Sequence, residues 1–286
     1  MQDSLGTLYV VATPLGNLED ITLRALRVLK QVDLIAAEDT RHSRKLLAHY
    51  GIGTPLTSYH DWSERHKAPR LVEELKRGKS IALISDAGTP GIADPGYHLV
   101  RSAIAAGVRV EAVPGPSAVA AALSIAGLPT DRFAFNGFVP ARQGPRRRFL
   151  AELVHERRTT VVYEATRRLQ ACLQDLHEAL GPRQVVVARE LTKFFEEILR
   201  GPAGEIAAQL HRRLGGQALQ GEVTLLIAGA ECGVAPEVQE DLNTAIERLR
   251  GEGLSLKDIA RKLARDRGLT RREVYQAGLA LEHFER

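Results

Sequence analysis

The segment SDAGTPGIADPG, residues 85–96, places three glycines, two prolines and two aspartates directly after the apolar run SIALIS. Glycine lacks the Cβ atom that keeps a ligand away from main chain, so such a loop offers bare backbone N–H and C=O groups. Loops of this kind commonly cradle phosphate, because exposed N–H groups and a helix N-terminus attract anions. Here neither the GxGxxG nor the GxxxxGK[ST] spacing is present, and Asp86 and Asp94 put negative charge where a phosphate would sit. The residue types suit instead a flat ligand that carries hydroxyls and positive charge. S-adenosylmethionine, with its sulfonium, ammonium, ribose diol and adenine edge, has that chemistry. A plain turn whose aspartate caps the next helix uses the same residues, and the loop alone does not decide between the two.

Other segments carry ionisable groups. AAEDTRH and ARELTK put Glu38, Asp39, Arg41, Glu190 and Lys193 at predicted strand ends, where side chains reach a cleft. Either one of them serves as a base for a weak nucleophile, or they are structural ion pairs and helix caps. PARQGPRRR gathers Arg142, Arg146, Arg147 and Arg148 in a loop that Gly144 and Pro145 keep irregular, a cluster suited to salt-dependent phosphate contacts. Its alternative is a solvated basic helix start, which the positive end of the helix dipole disfavours. Tyr59, His60 and Trp62 in TSYHDWSERH either stack on a splayed base or pack on their own domain. His60 and His66 lack a third clustered ligand, so no metal site is expected.

These residues need a frame. LYVVAT (8–13) reads as a buried strand, followed by a helix over DITLRALRVLK, with Asp20 as N-cap and Ile21, Leu23, Leu26 and Leu29 toward one face. VDLIAAE, RHSRKLLAHYG, APRLVEELKRG, SIALIS, YHLVRSAIAAG and VRVEAV continue the strand–helix alternation, the rhythm of a parallel sheet wrapped by helices. ATPLGNLED and VPGPSAV place two further proline-glycine turns at strand carboxyl ends, the edge where open α/β sheets bind ligands. Ser117 stands where it would cap the apolar helix SAVAAALSIAG. FAFNGFV, TTVVYEA, RQVVVARE, KFFEEILRG and EVTLLIAG are strand candidates of a second unit, with helices over 166–180 and 203–214. The fold class is therefore α/β with two α/β domains, residues 1–116 and 117–231, and a ligand cleft between them. Residues 236–286 read as a helical extension in which SLKDIARKLARDRGLTRREVYQAGLAL resembles a helix-turn-helix with Thr270 as a cap. Its basic excess suits RNA; the apolar face of Leu256, Ile259, Ala260 and Leu263 equally suits a dimer brace or a simple cap.

The whole chain sets few limits. With 286 residues, 44% apolar residues and a net charge of +4, it has room for two cores and allows a nucleic-acid partner without requiring one. Two cysteines, Cys172 and Cys232, far apart behind a start without signal character, fit a reducing cytoplasm. No apolar run approaches the roughly 18 residues of a membrane span.

TPLGNLEDIT, AAEDTRHSRKLL, SDAGTPGIADPGYHLV, VPGPSAVAAALSIAGLPTDRF, GFVP, YEATRRL and ARELTKFFEE together resemble the ribosomal RNA small subunit methyltransferase I family of the tetrapyrrole-methylase class, from about residue 6 to 230. The resemblance implies methyl transfer from S-adenosylmethionine to the ribose 2′-hydroxyl of a cytidine in the decoding region of 16S rRNA, within the small ribosomal subunit. It also implies a homodimer. It places the cofactor against the Pro14 turn, the Asp86, Gly88, Ile92, Asp94 and Pro95 loop, the Pro116–Ser117 turn, and Tyr163, Leu191 and Gly221. Asp39 or Glu38 would then orient the acceptor, and Lys193 or Arg41 would meet RNA phosphate, alongside the Arg142–Arg148 cluster. Ala93 departs from the family's usual Ser or Asn, and the final 50 or so residues lie beyond the matched part. Methylation of a tetrapyrrole-like small molecule and non-catalytic RNA binding are the rival functions.

Overall fold

The computed structural model describes residues 5–215, 219–230, 242–267 and 270–284, with backbone alone for 61–63, 265–267 and 282–284. They fall into two compact units, Met1–Ala230 and Glu231–Arg286.

The first unit begins with β1 (Thr7–Val11), α1 (Leu23–Gln31), β2 (Leu34–Ala37), α2 (Thr40–His49), β3 (Leu56–Ser58), α3 (Asp61–Lys76), β4 (Ile81–Ile84), α4 (Tyr97–Ala105) and β5 (Arg109–Val113). Their strands pair in parallel in the order β3-β2-β4-β1-β5. Alternate residues of β4 enter opposite cores: Ile81 and Leu83 pack under α3 and α4, while Ala82 and Ile84 pack under α1 and α2. A strand covered on both faces has to read as a continuous apolar run, which is why SIALIS does. α1 starts two residues later than the sequence suggests. Asn17 caps a short 3-10 turn, Leu18–Asp20, that absorbs Asp20, and the Thr22 side chain accepts from Ala25 N at 3.1 Å instead. The buried stripe of α1 is accordingly Ala25, Val28 and Leu29, and Leu23 is exposed. The three-residue edge strand β3, without an apolar run, went unread.

The same unit continues with α5 (Ala118–Ala126), β6 (Phe133–Phe138), α6 (Gln143–Glu152), β7 (Thr159–Ala165), α7 (Thr166–Leu180), β8 (Gln184–Arg189), β9 (Glu197–Pro202), α8 (Ala203–Leu214) and β10 (Glu222–Ile227). These strands form a second sheet, β6-β7-β10-β8-β9, antiparallel except for the β6–β7 pair. One face carries Leu150 of α6, Leu169 and Leu173 of α7, and Ile206 and Leu210 of α8. The other face carries α5 through Val119, Ala122 and Leu123, together with Leu15 and Leu191.

In the second unit, α9 (Leu242–Gly251), α10 (Leu256–Arg267) and α11 (Arg271–Phe284) enclose their own core of Ile246, Leu249, Ile259, Leu263 and Val274. The apolar face of α10 is thus spent inside this small bundle. Thr270 and Glu273 form a capping box on α11: Glu273 N donates to Thr270 Oγ1 at 3.3 Å and Thr270 N donates to the Glu273 carboxylate at 2.8 Å. Cys232 and the glycine turn at Gly268 lie outside the described residues. No described helix is long and apolar enough to cross a membrane.

Candidate active site

The carboxyl ends of β1, β4 and β5 lie side by side, and the chain leaves them in opposite directions. From β1 it goes to β2, beyond β4; from β4 it goes to β5, beyond β1. That reversal opens a crevice where open α/β sheets take ligands. Side-chain and backbone bonds fix the turns around it. Thr13 N donates to Gly88 O at 2.8 Å and Gly88 N returns a bond to Thr13 O at 3.0 Å. The Thr13 hydroxyl donates to Ser85 O at 3.0 Å, and the Thr89 hydroxyl reaches Pro116 O at 3.2 Å. Gly88 has φ +77°, and a Cβ there would lie 3.3 Å from Leu15 Cδ2. The ends of β2 and β4 are tied reciprocally, Asp39 N donating to Asp86 Oδ1 at 3.0 Å and Asp86 N to Glu38 Oε2 at 3.3 Å.

These turns form one wall of a cleft of about 430 Å³, and the second sheet forms the other. Strand register explains the second wall. Thr224 of β10 stands opposite Tyr163 of β7 and Ala188 of β8, so these three side chains share the cleft face. Leu225, Val162 and Val187, one residue along, face the core below. Glu38, Asp86, Asp94 and Glu222 line the cleft, and among the described residues no Lys, Arg or His does; Glu164 also borders it, but its carboxylate is fully enclosed and bonds Arg168 of α7 at 2.6 Å. Burial, reinforced by the charges of Asp94 and Glu222, pushes the Tyr163 hydroxyl up to about 12. A site this acidic disfavours phosphate and favours a cation. Ile92 and the ring of Phe138, both exposed, add apolar surface to it.

The segment after β8 closes one end. Glu190 and Thr192 hold φ of +51° and +67°, a conformation unusual for side-chain-bearing residues. Lys193 Nζ lies 3.0 Å from both Glu190 Oε1 and Glu222 Oε2, and Glu190 Oε1 also accepts from Glu222 N at 3.0 Å. Burial opposes the charge on Lys193, but the hydrogen bonds to Glu190 and Glu222 outweigh it and raise its pKa. Thr192 Oγ1 accepts from Asn17 N at 3.2 Å, joining this segment to the β1 turn.

Of the residues expected from sequence, Glu38, Asp86, Gly88, Ile92, Asp94, Ser117, Tyr163, Leu191 and Gly221 line this one cleft. Ser117 occupies the N-cap position of α5 without a side-chain capping bond. Pro14, Pro95 and Pro116 are not lining residues; each is the neighbour of one, namely Leu15, Asp94 and Ser117. Asp39 caps α2, accepting from Arg41 N at 2.8 Å and holding the Arg41 guanidinium at 2.9 Å. Those bonds pull its carboxyl down to about 2, so it is a weak base at neutral pH. The arginine cluster needs a correction. Arg142 is the N-cap residue of α6 and the other three lie within it, where Arg146 is 5% exposed and bonds Asp175 at 2.6 Å, while Arg147 reaches Asp175 at 2.9 Å and Glu178 at 2.8 Å. The carboxylates of α7 thus neutralise the middle of the cluster, leaving Arg142 and Arg148 exposed. Tyr59 is fully buried, its hydroxyl 3.3 Å from Glu64, and is no stacking platform; the Trp62 side chain lies outside the described residues. No cluster of metal-ligating residues occurs among the described residues. Thr89, Phe138, Glu164, Ala188, Glu222 and Thr224 were missed. Period-two alternation on β10 was the signal for Glu222 and Thr224, but it does not say which face meets the other lobe.

The model of the family described as Tetrapyrrole (Corrin/Porphyrin) Methylases matches residues 7–207, and the chain belongs to that family. Uroporphyrin-III-C-methyltransferase from Thermus thermophilus shares the fold, with TM-score 0.55 and 22% identity over 79% of this chain and 95% of that one. Diphthine synthase does so with TM-score 0.58 and 14% identity, over 78% and 90%. Much nearer in sequence are proteins named "Ribosomal RNA small subunit methyltransferase I". The one from Pasteurella multocida is 46% identical over 99% of this chain and 100% of its own length. The one from Pseudomonas aeruginosa is 47% identical over 96% and 98%. Such coverage corrects the expectation that the final 50 residues fall outside the resemblance.

Proposed function

We propose that the protein is an S-adenosylmethionine-dependent methyltransferase that modifies the ribose 2′-hydroxyl of a cytidine in the decoding region of 16S rRNA. The observation that carries this reading is a cleft lined by Asp86 and Asp94 at the switch point of a methylase fold whose relatives over nearly the whole chain are named for small-subunit rRNA. A relative in fold, 22% identical with TM-score 0.53, was solved complexed with S-adenyl homocysteine. The cleft fits the donor by charge, through Asp86 and Asp94, and by close backbone approach at Gly88 and Gly221. When bound, S-adenosylmethionine supplies an electrophilic methyl on a sulfonium. The chain's own contribution is to hold two reactants in register, worth on the order of 7–11 kcal/mol, and to keep water out. Glu38 orients the acceptor hydroxyl. Supporting this, it lines the cleft while Asp39 caps a helix and Lys193 neutralises Glu190 and Glu222. Arg142 and Arg148 meet RNA phosphate. Residues 1–116 and 117–231 act as the two lobes that enclose the donor, the enzyme works as a homodimer in the cytoplasm, and its substrate is RNA within the small ribosomal subunit.

Radiolabel transfer from S-adenosylmethionine to small subunits lacking the modification, to naked 16S rRNA and to a tetrapyrrole tests this. Label on a single cytidine ribose of the RNA is the expected result. Label on the tetrapyrrole with none on either RNA form overturns it.

A further inference from the structure

The three-helix unit carries a groove of about 410 Å³ between α10 and α11. Lys257 and Arg261 approach it from α10, Arg271 and Arg272 from α11, and among the described residues no Asp or Glu lines it. Tyr275 and Leu279 are also part of its wall, exposed by 43% and 37%. Arg261 has Asp258 only at 3.8 Å, and the described residues show no ion pair for Lys257, Arg271 or Arg272.

The bundle itself gains nothing from this arrangement. Its core contains none of the four cations and not Tyr275: Ile246, Leu249, Ile259, Leu263 and Val274 are among its buried residues, with Ala260 between core and groove. Arg271 and Arg272 sit in the first turn of α11, where the helix dipole repels cations. Four cations facing one concavity also repel one another. An unfavourable placement of this kind is relieved by an external polyanion. The exposed phenol ring among the cations adds a surface that stacks a base.

We propose that this groove binds a single-stranded stretch of the RNA substrate, with Lys257, Arg261, Arg271 and Arg272 on successive phosphates and Tyr275 stacked on a base. The inference rests on the rRNA reading above and adds to it a second contact, on a unit separate from the methyl-transfer cleft. It gives the C-terminal helices the task of raising affinity for RNA while leaving donor binding to the first unit.

The test uses the full chain and its K257A/R271A/R272A and Tyr275→Ala variants. Fluorescence anisotropy follows a labelled single-stranded segment of 16S rRNA across salt concentrations, calorimetry follows S-adenosylmethionine, and methyl transfer gives kcat and KM for small subunits. For the triple variant, RNA affinity falls roughly tenfold or more near physiological salt and the salt slope shrinks by about 2, as three lost single-strand phosphate contacts require. Its melting temperature, donor affinity and kcat at saturating RNA stay as in the parent, and KM rises. Tyr275→Ala weakens RNA without changing the slope, and Tyr275→Phe restores it. Unchanged RNA affinity and slope in the triple variant overturn the proposal, as does a loss of self-association with RNA binding intact. Failure of the parent to methylate any RNA overturns the rRNA reading instead, and the anisotropy arm still judges the groove.

Discussion

Arg146 and Arg148 are two residues apart in one basic run, yet the structure gives them opposite work. Arg146 is buried with Asp175, at 2.7 Å through Nε and 2.6 Å through the terminal nitrogen, and both side chains are nearly fully enclosed. Replacing Arg146 by Met leaves the Asp175 carboxylate in the core with a single cationic partner, Arg147 at 2.9 Å. Breaking a buried pair by removing one member costs about 3–5 kcal/mol, and the surviving Arg147 bond puts the expected loss near the lower bound, about 3 kcal/mol. Removing the carboxylate as well, in Arg146→Met with Asp175→Leu, returns the stability to within about 1 kcal/mol of the parent, because no uncompensated charge remains. Urea unfolding at pH 7 reads both values. The deficit also has a pH signature. Burial alone raises the Asp175 pKa, but the bonds from Arg146 and Arg147 outweigh it and hold the folded carboxyl below the ordinary aspartate range. That contribution is present above the unfolded pKa and is lost as pH falls through the folded one, so the gap between parent and Arg146→Met narrows on acidification below about pH 4. Arg148→Ala, at an exposed position, gives the reverse pattern: stability within about 0.5 kcal/mol of the parent, with weaker RNA binding. An Arg146→Met protein as stable as the parent but deficient in RNA binding refutes this division of labour.

Two further outcomes probe the cleft and its frame. Gly88→Ala puts a side chain at φ +77° and within 3.3 Å of Leu15 Cδ2. The expected result is a stability loss of about 1–2 kcal/mol, accompanied by weaker S-adenosylmethionine binding by calorimetry; donor affinity equal to the parent's disproves the close approach. For Asp39, the Arg41 side-chain and backbone bonds predict a carboxyl titrating at about 2 by NMR, so its contribution to the α2 cap is full above about pH 4 and is lost progressively as pH falls through about 2. A titration at 3.8 removes the capping account and returns Asp39 to the candidates for acceptor orientation.

The sequence by itself determined the elements that local chemistry dictates. The β4 run reads as a strand buried on both faces because it is apolar at every position, and the boundaries of α7 and α8 follow from their periodicity and flanking turns. The open loop at 85–96 and its two aspartates were legible as a candidate site for a cationic ligand, because glycine and carboxylate have a chemistry that needs no fold to interpret, but a plain turn uses the same residues. What only the tertiary structure decided was which partner each polar side chain meets. Arg146 became a core residue because α7 brings Asp175 beside it from 29 positions along the chain. Asp39 became a cap because Arg41 folds back on it, and Glu222 entered the cleft because β10 pairs between β7 and β8. Strand register and helix packing are long-range choices, and a charge one bond from a carboxylate differs from a charge facing RNA only through them.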